Sequence, residues 1–375
     1  MSASNATSTA RSAFRLQEGG LILVIVALGA LLSFFGGTVK LPKFEIGPDG
    51  QRQRVFTTDA AGERVPVVEE KNKFLNAQNL TQLAKDTSFI AIMAVGMTFV
   101  IIAGQIDLSV GSIYALASVA GGLVFHLYGP DGEKSGSGLL GAWLGAGACL
   151  GAGVVSGLLN GTMITALRVH PFIITLGTMA VFRGIAFVVT KGQSVGGFPA
   201  GFRDMIRWET AGGLSLVPLG VMLLVALAGG VFLTRLTAGR RVYAVGGNEL
   251  ASRYSGIRVE RVKIGVFLVS GLTAGIAALL SLGYYGAATS GDGQGYELNV
   301  IAASVVGGAS LTGGRGSALG ALLGALVIQM IQSGIVILGV DQNYSQIIIG
   351  TVVVVAVLLD QLNTWWMRRR LTKAA

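Results

Sequence analysis

The chain has 375 residues, of which 52% are hydrophobic and only 13% charged, and a mean hydropathy of +0.67, whereas an ordinary soluble domain carries about 25% charged residues. So little charge cannot cover a soluble protein of this length, so the composition points to an integral membrane protein with many helices. The net charge of +9 then marks one membrane face, and no nucleic-acid partner is expected.

The 57 glycines are about twice the usual frequency of roughly 7%. In lipid such residues let helix backbones approach closely. The single cysteine, Cys149, lies in an apolar run and has no internal disulfide partner.

In chain order, residues 1–20 form a Ser/Ala/Thr-rich tail with Arg11 and Arg15. The apolar run 21–36 lacks a small-x-small cleavage site before a soluble domain, so it reads as a first membrane helix rather than a signal peptide. Residues 37–86 hold eight basic and seven acidic side chains, with Pro42, Pro48 and Pro66, and read as an extramembrane insertion with a small hairpin near 54–68. From residue 87 the pattern is regular. Apolar spans are expected at 88–103, 110–128, 139–164, 171–189, 214–236, 264–285, 298–311, 318–338 and 344–362. With the first helix these make about ten. Some fall short of the roughly 20 residues that cross a bilayer, which predicts broken or half-crossing helices shielded by neighbours. Residues 363–375, ending in WWMRRRLTKAA, form a basic tail with Trp365 and Trp366 at interfacial depth. The fold class expected is all-α and polytopic, with membrane lipid around it.

Arg and Lys set the orientation. An even number of crossings puts both termini on one side, together with Arg168, Arg235, Arg240, Arg241, Arg253, Arg258, Arg261, Lys263 and Arg315. The opposite short loops hold Lys134, Lys191, Arg203 and Arg207. The bias places both termini and the polar segment 239–263 in the cytoplasm, and 37–86 outside.

Several chemistries are missing. No G-x4-G-K-[S/T] phosphate loop occurs, since Gly132-Glu133-Lys134-Ser135 lacks the spacing. Two histidines and one cysteine supply no metal cluster, and no nucleophile is flanked by a convincing base. No catalytic residue, metal or cofactor is therefore expected. Few charges lie within the spans, which argues against ion-coupled transport. What remains is a protein that forms a pathway and takes its energy from elsewhere.

Particular residues stand out within the spans. Gly153, Gly157 and Gly161, and likewise Gly316, Gly320 and Gly324, recur every four residues, so each set falls on one helical face suited to close packing. The stretch Gly104–Ser109 interrupts an apolar run. There Asp107 or Ser109 could cap the helix that starts near Val110, while Gln105, Asp107 and Ser109 could also face a watery passage. Asn160 and Asn299 are further pathway candidates, although polar residues in such runs also serve as interhelical contacts. Arg183 lies inside its span, either reaching outward past Val189 or bonding backbone carbonyls at a subunit contact.

Four blocks resemble one family: GMTFVIIAGQIDLSVGSIYALA (96–117), FIITLGTMAVFRGIA (172–186), GRRVYAVGGNELASRYSGI (239–257) and NVIAASVVGGASLTGGRGSALGALLGALVI (299–328). They resemble the permease subunits of bacterial ABC importers for monosaccharides, of the ribose, xylose, arabinose and galactose type, from about residue 74 to 362. The resemblance implies an inner-membrane homodimer, or heterodimer with a related permease, joined to ABC ATP-binding subunits that use the ATP and to an extracytoplasmic sugar-binding protein. It makes 239–263 a coupling loop, with Gly247, Asn248, Glu249, Ala251, Ser255 and Gly256 touching the ATPase. A short helix from Asn248 to Tyr254, N-capped by Asn248 and stopped at Gly256, is expected there. Against the family's Glu-Ala-Ala-x3-Gly pattern, Leu250 stands at the second place and Gly256 comes one position late. Where Gln105 stands the family usually has Gly. Rival readings are the same machinery for a polyol or furanosyl signal molecule, an ion-coupled carrier, and a non-transporting scaffold.

Overall fold

The computed structural model describes residues 3–46, 52–58, 62–130, 132–134, 138–210 and 213–374. Residues 47–51 with Pro48, Ser135 and the side chains of the basic tail with Trp365 and Trp366 lie outside the described residues.

Helix α1 spans Ala3–Phe35. Six strands follow, β1 Thr38–Pro42, β2 Phe44–Ile46, β3 Arg52–Arg54, β4 Phe56–Thr58, β5 Arg64–Pro66 and β6 Val68–Asn72. They pair antiparallel as β1–β6, β2–β3 and β4–β5. The three ribbons meet where Lys43 N–H donates to Val67 O (2.7 Å), Val67 N–H to Val55 O (2.9 Å) and Val55 N–H to Lys43 O (3.0 Å). This closed ring of backbone bonds satisfies the groups that each ribbon end would leave unpaired. The hairpin expected near 54–68 is present as β4–β5, and it is one arm of a three-armed β unit that precedes the expected helical body. The insertion also ends earlier than expected, because α2 already begins at Ala77.

The helical body comprises α2 Ala77–Ile102, α3 Val110–Leu127, α4 Gly138–Leu167, α5 Pro171–Thr190, α6 Ala200–Ile206, α7 Leu216–Arg235, α8 Thr237–Gly247, α9 Glu249–Tyr254, α10 Val259–Tyr285, α11 Tyr296–Val306, α12 Ala318–Ile337 and α13 Ser345–Ala374. Their ends follow from the sequence. Asn76 caps α2 by accepting from Asn79 N–H, and Ser317 caps α12 through Gly320 N–H. His170 caps α5, with Pro171 in the first turn, where its missing N–H costs nothing.

Helix α2 is the axis. It is apolar on every side and buried from Thr87 to Ile102, as expected of a helix enclosed by others. Helices α7, α10, α11 and α12 pack around it. Outer helices instead present apolar residues outward, such as Ile173, Val181 and Val188 of α5 and Leu223, Leu224 and Leu227 of α7. In water such faces would be a liability; in a bilayer they meet acyl chains.

Small residues fix the closest approaches. A Cβ on Gly153 would collide with Gly271 O, one on Gly157 with Phe267 O, and one on Gly161 would lie 2.8 Å from the Ile264 Cα. The α4–α10 contact therefore lies within one chain. In the second set, Gly320 and Gly324 meet the carbonyls of Gly307 and Ala303 at α11. Gly316 does not share their helical face: it precedes the Ser317 cap with φ +151° and packs instead against Ile102.

Among the described residues eight helices are long and apolar enough to cross a membrane, with α11 and the apolar start of α13 shorter. These eight and the two shorter apolar helices correspond to the roughly ten spans expected, some of them short. Gly293 packs on Gly111 and Tyr114 in the first turns of α3, so the segment after α10 turns back into the body before α11. The loop after α11 reaches the end of α2, where Gly314 N–H donates to Ile102 O at 2.8 Å.

The ends of the bundle are thereby sorted. Helices α8 and α9 share one end with Ile102 and the 313–316 loop. The β unit sits at the other, where Lys73 N–H donates to Gly37 O (3.0 Å) and Leu32 packs on Gly334.

Candidate functional site

The exposed element best formed for docking is α9. Asn248 leaves the helical path at φ −159° and its side chain accepts from Ala251 N–H at 2.9 Å, satisfying one of the orphan donors of a helix start. At the far end Ile257 N–H reaches back to Ser252 O (3.0 Å) and Gly256 adopts φ +79°. This left-handed stop is open to glycine without strain. The short capped helix thus stands where the sequence placed it, between Gly247 and Gly256.

Ion pairs hold it in place. Glu249 pairs with Lys263 (2.9 Å) and more loosely with Arg253 (3.7 Å), and Arg253 pairs with Glu260 (2.8 Å). Each exposed pair is weak, but together they lash α9 to the first turn of α10. Leu250 and Tyr254, one turn apart, are 62% and 83% exposed. They form an apolar pair on an otherwise polar surface. Sequence reasoning treated Leu250 as a departure from a pattern and did not single out Tyr254; the i, i+4 spacing was the available signal.

Behind α9, α8 transmits contact inward. The Tyr243 hydroxyl donates to Gly316 O at 2.8 Å, and burial raises its pKa above the ordinary phenol value, so it stays a donor. Gly246 lies so close to Ile102 O that a Cβ there would collide with it. Helix α8 thus joins α9 to the end of the central helix.

The break after α2 is the second feature. Ser109 is the N-cap residue of α3 but its side chain makes no capping bond. Asp107 instead accepts from Ser109 N–H (2.9 Å), the Ser109 hydroxyl (2.6 Å) and the Ser270 hydroxyl of α10 (2.8 Å). The Asn160 amide of α4 donates to the Ser109 oxygen at 2.7 Å. All four residues are fully buried. The expected helix cap is thus a polar knot joining three helices. Gln105 folds back on the carbonyls of Ala103 and Gly104, and Asn299 is buried in α11. A pathway-lining role needs a face open to water; Asp107, Ser109 and Asn160 have none in the single chain, and Gln105 and Asn299 keep only 7% and 8% of their surface exposed.

Toward the other end, Arg183 donates from one guanidinium nitrogen to Ser290 O (2.9 Å) and Asp292 O (2.6 Å). The carbonyl-bonding alternative is the one formed, within the chain, and it pins the turned-back segment to α5. Sequence reading missed a neighbouring cluster. Lys85, only 2% exposed, contacts Gln82 (2.8 Å) and Asp86 (3.5 Å) and lies over the Tyr284 ring at 4.0 Å. Tyr285 donates to Asp86 at 3.3 Å. The Lys-Asp step ahead of an apolar run and the Tyr-Tyr step ending another were its visible traces.

Comparison with known proteins gives the family. Residues 79–357 match the model described as branched-chain amino acid transport system / permease component. The ribose import permease protein RbsC of Escherichia coli (strain K12) is 39% identical over 296 residues, covering 76% of this chain and 87% of that protein. The D-allose transport system permease protein AlsC of the same strain is 37% identical over 290 residues, covering 77% and 85%. The ribose import permease protein RbsC of Bacillus subtilis (strain 168) is 39% identical over 291 residues, covering 77% and 86%. No solved structure matches the chain. Helix α1 and the β unit precede the family match, which takes in all of the helical body from α2 to the start of α13. On that match and on these relatives, the chain belongs to the branched-chain amino acid transport system / permease component family.

Proposed function

We propose that the chain is the membrane subunit of a bacterial ABC importer and forms the pathway for a sugar. The observation that carries this is α9, a capped helix standing clear of the bundle, presenting Leu250 and Tyr254 and wired through Tyr243 and Gly246 to the central helix. A partner that closes on ATP could push there and re-tilt α2. The family description names amino acids, but relatives of known solute at 37–39% identity are sugar permeases, and the solute reading follows them. In this reading ATP is used by the partner ATPase, and the chain binds no cofactor of its own.

Two permeases, identical or related, would share one importer, with the α8–α9 end and both termini in the cytoplasm. Basic residues crowd that end, as the positive-inside rule requires. The β unit then lies outside, where it adds a contact for the sugar-binding protein. Deleting residues 38–72 and measuring binding-protein docking tests that contact; unchanged affinity removes it.

The central test is gentle purification of the tagged chain from native membranes, with mass spectrometry and nucleotide hydrolysis. An ATP-binding subunit at one per permease, with hydrolysis stimulated by a sugar-loaded binding protein, is expected. An ATPase-free protein that still moves solute in vesicles sinks the reading. Gly256→Asp, which strains the stop of α9, should abolish uptake without preventing insertion.

A further inference from the structure

A cavity of about 490 Å³ opens at the α8–α9 end, between α7, α8 and α10. Its inner wall is apolar: Phe99 of α2, Phe232 of α7, and Val242, Val266 and Val269. Its mouth carries Arg241, Arg258 and Arg261. Of the docking segment from Gly247 to Gly256, only Gly256, the stop of α9, lines it.

The charges at the mouth are uncompensated. The two nearby carboxylates, Glu249 and Glu260, are already paired with Arg253 and Lys263. Among the described residues no carboxylate lies within ion-pair distance of Arg241, Arg258 or Arg261, and all three are exposed. The wall, by contrast, runs deep. Val269 is ten residues into α10, about 15 Å along the helix. Gly265 lines the cavity too, and a Cβ there would meet nothing within 4 Å. A half-open cavity with an apolar stretch of wall and three unpaired guanidinium groups in its lining matches an amphiphile with an anionic head and a hydrocarbon tail.

We propose that this cavity holds one anionic glycerophospholipid, its phosphate among Arg241, Arg258 and Arg261 and an acyl chain along Phe99, Phe232, Val266 and Val269. A protein side chain from a docked ATPase could meet the arginines but could not reach the depth of Val269. Neutral sugar would leave the three charges unanswered. The inference needs only that these helices cross a bilayer, so it stands apart from the solute reading. It also gives the lipid a place beside the docking helix: Arg241 belongs to α8, Gly256 stops α9, and Arg258 caps α10.

The test uses the full chain, moved into bilayers of equal phosphatidylcholine and phosphatidylglycerol, re-extracted in mild detergent and weighed by native mass spectrometry. About one retained phosphatidylglycerol per chain is expected, with each of Arg241→Gln, Arg258→Gln and Arg261→Gln lowering retention by about fivefold. Arg168→Gln, an exposed arginine at the same end of the bundle, should leave it unchanged. Gly265→Leu, whose Cβ meets nothing within 4 Å, adds a side chain at the cavity wall and should expel the lipid while the three arginines remain. Variants are compared only where gel filtration and melting match the parent chain. Equal retention of phosphatidylcholine overturns the proposal. So does a site that takes inorganic phosphate alone and keeps phosphatidylglycerol in Gly265→Leu, since that is a head-group site without a tail. Cross-linking of Arg261→Cys to the ATP-binding subunit in place of any retained lipid would assign the cavity to the docking face and overturn it as well.

Discussion

The Ser270 hydroxyl donates to Asp107 Oδ2 at 2.8 Å, joining residues 163 positions apart in the chain. The bond ties α10 to the break between α2 and α3, with Ser109 and Asn160 completing the knot. Because every member is buried, water cannot replace a lost partner. Ser270→Ala removes one donor and should lower stability by about 1–2 kcal/mol. Asp107→Ala leaves two hydroxyls and an amide unpaired and should cost more than about 3 kcal/mol. Thermal unfolding of the detergent-purified chain, followed by tryptophan fluorescence, checks the order; equal melting of the two variants contradicts it.

The glycine seam between α4 and α10 sets up a sharper contrast. Gly157 faces Phe267 O with no room for a side chain, whereas Gly151, two turns earlier on the same helix, has nothing within 4 Å. Gly157→Leu must push the two helices apart and should abolish folded protein or cost several kcal/mol, above the roughly 1–3 usual for overpacking. Gly151→Leu should be neutral within about 0.5 kcal/mol. Yield of monodisperse protein in gel filtration reads the difference.

These contacts show how far sequence reasoning reached. The every-fourth-residue spacing of Gly153, Gly157 and Gly161 marked a packing face, because helical period alone puts them together. It could not name the partner, since Gly271 and Gly275 lie more than a hundred residues away. The same spacing misled at Gly316, where the Ser317 cap breaks the helix before the third glycine is reached. Asn248 and Gly256 were legible because caps act over a few residues. Asp107 was legible as a helix break but not as a knot, because its donors come from α4 and α10. The β unit was legible only in its hairpin at 56–66: its junction residues Lys43, Val55 and Val67 recur every twelve positions, but the arms are short, charged and mostly exposed, so nothing apolar announced the ring that joins them. The approach to α11 was not legible, because an apolar run reports hydrophobicity and not that the segment before it turns back onto α3.

Arg183 gives a test of that turned-back segment. Its guanidinium holds the carbonyls of Ser290 and Asp292, and hydrogen bonds to a charged group contribute about 1.5–3 kcal/mol. Arg183→Met keeps the length and removes both bonds. Segment 286–295 should then exchange its amide hydrogens at least tenfold faster, with the rest of α5 unaffected, as measured by hydrogen exchange and mass spectrometry. An unchanged rate would mean that Gly293 packing on Gly111 and Tyr114 holds the segment by itself.

Leu250 and Tyr254 separate docking from folding. Both side chains are exposed on a helix whose caps and ion pairs lie elsewhere, so Leu250→Ala and Tyr254→Ala should leave melting within about 0.5 kcal/mol of the parent. If α9 is seated on an ATP-binding subunit, truncating an apolar anchor at the centre of that contact should weaken association by about 2 kcal/mol or more, roughly thirtyfold. Pull-down of the partner and solute-stimulated ATP hydrolysis should fall together. Loss of hydrolysis with full partner retention would instead place the two residues in transmission of the stroke rather than in attachment. No loss of either would move the docking surface off α9 altogether, leaving Tyr243 and Gly246 as structural contacts of the bundle end.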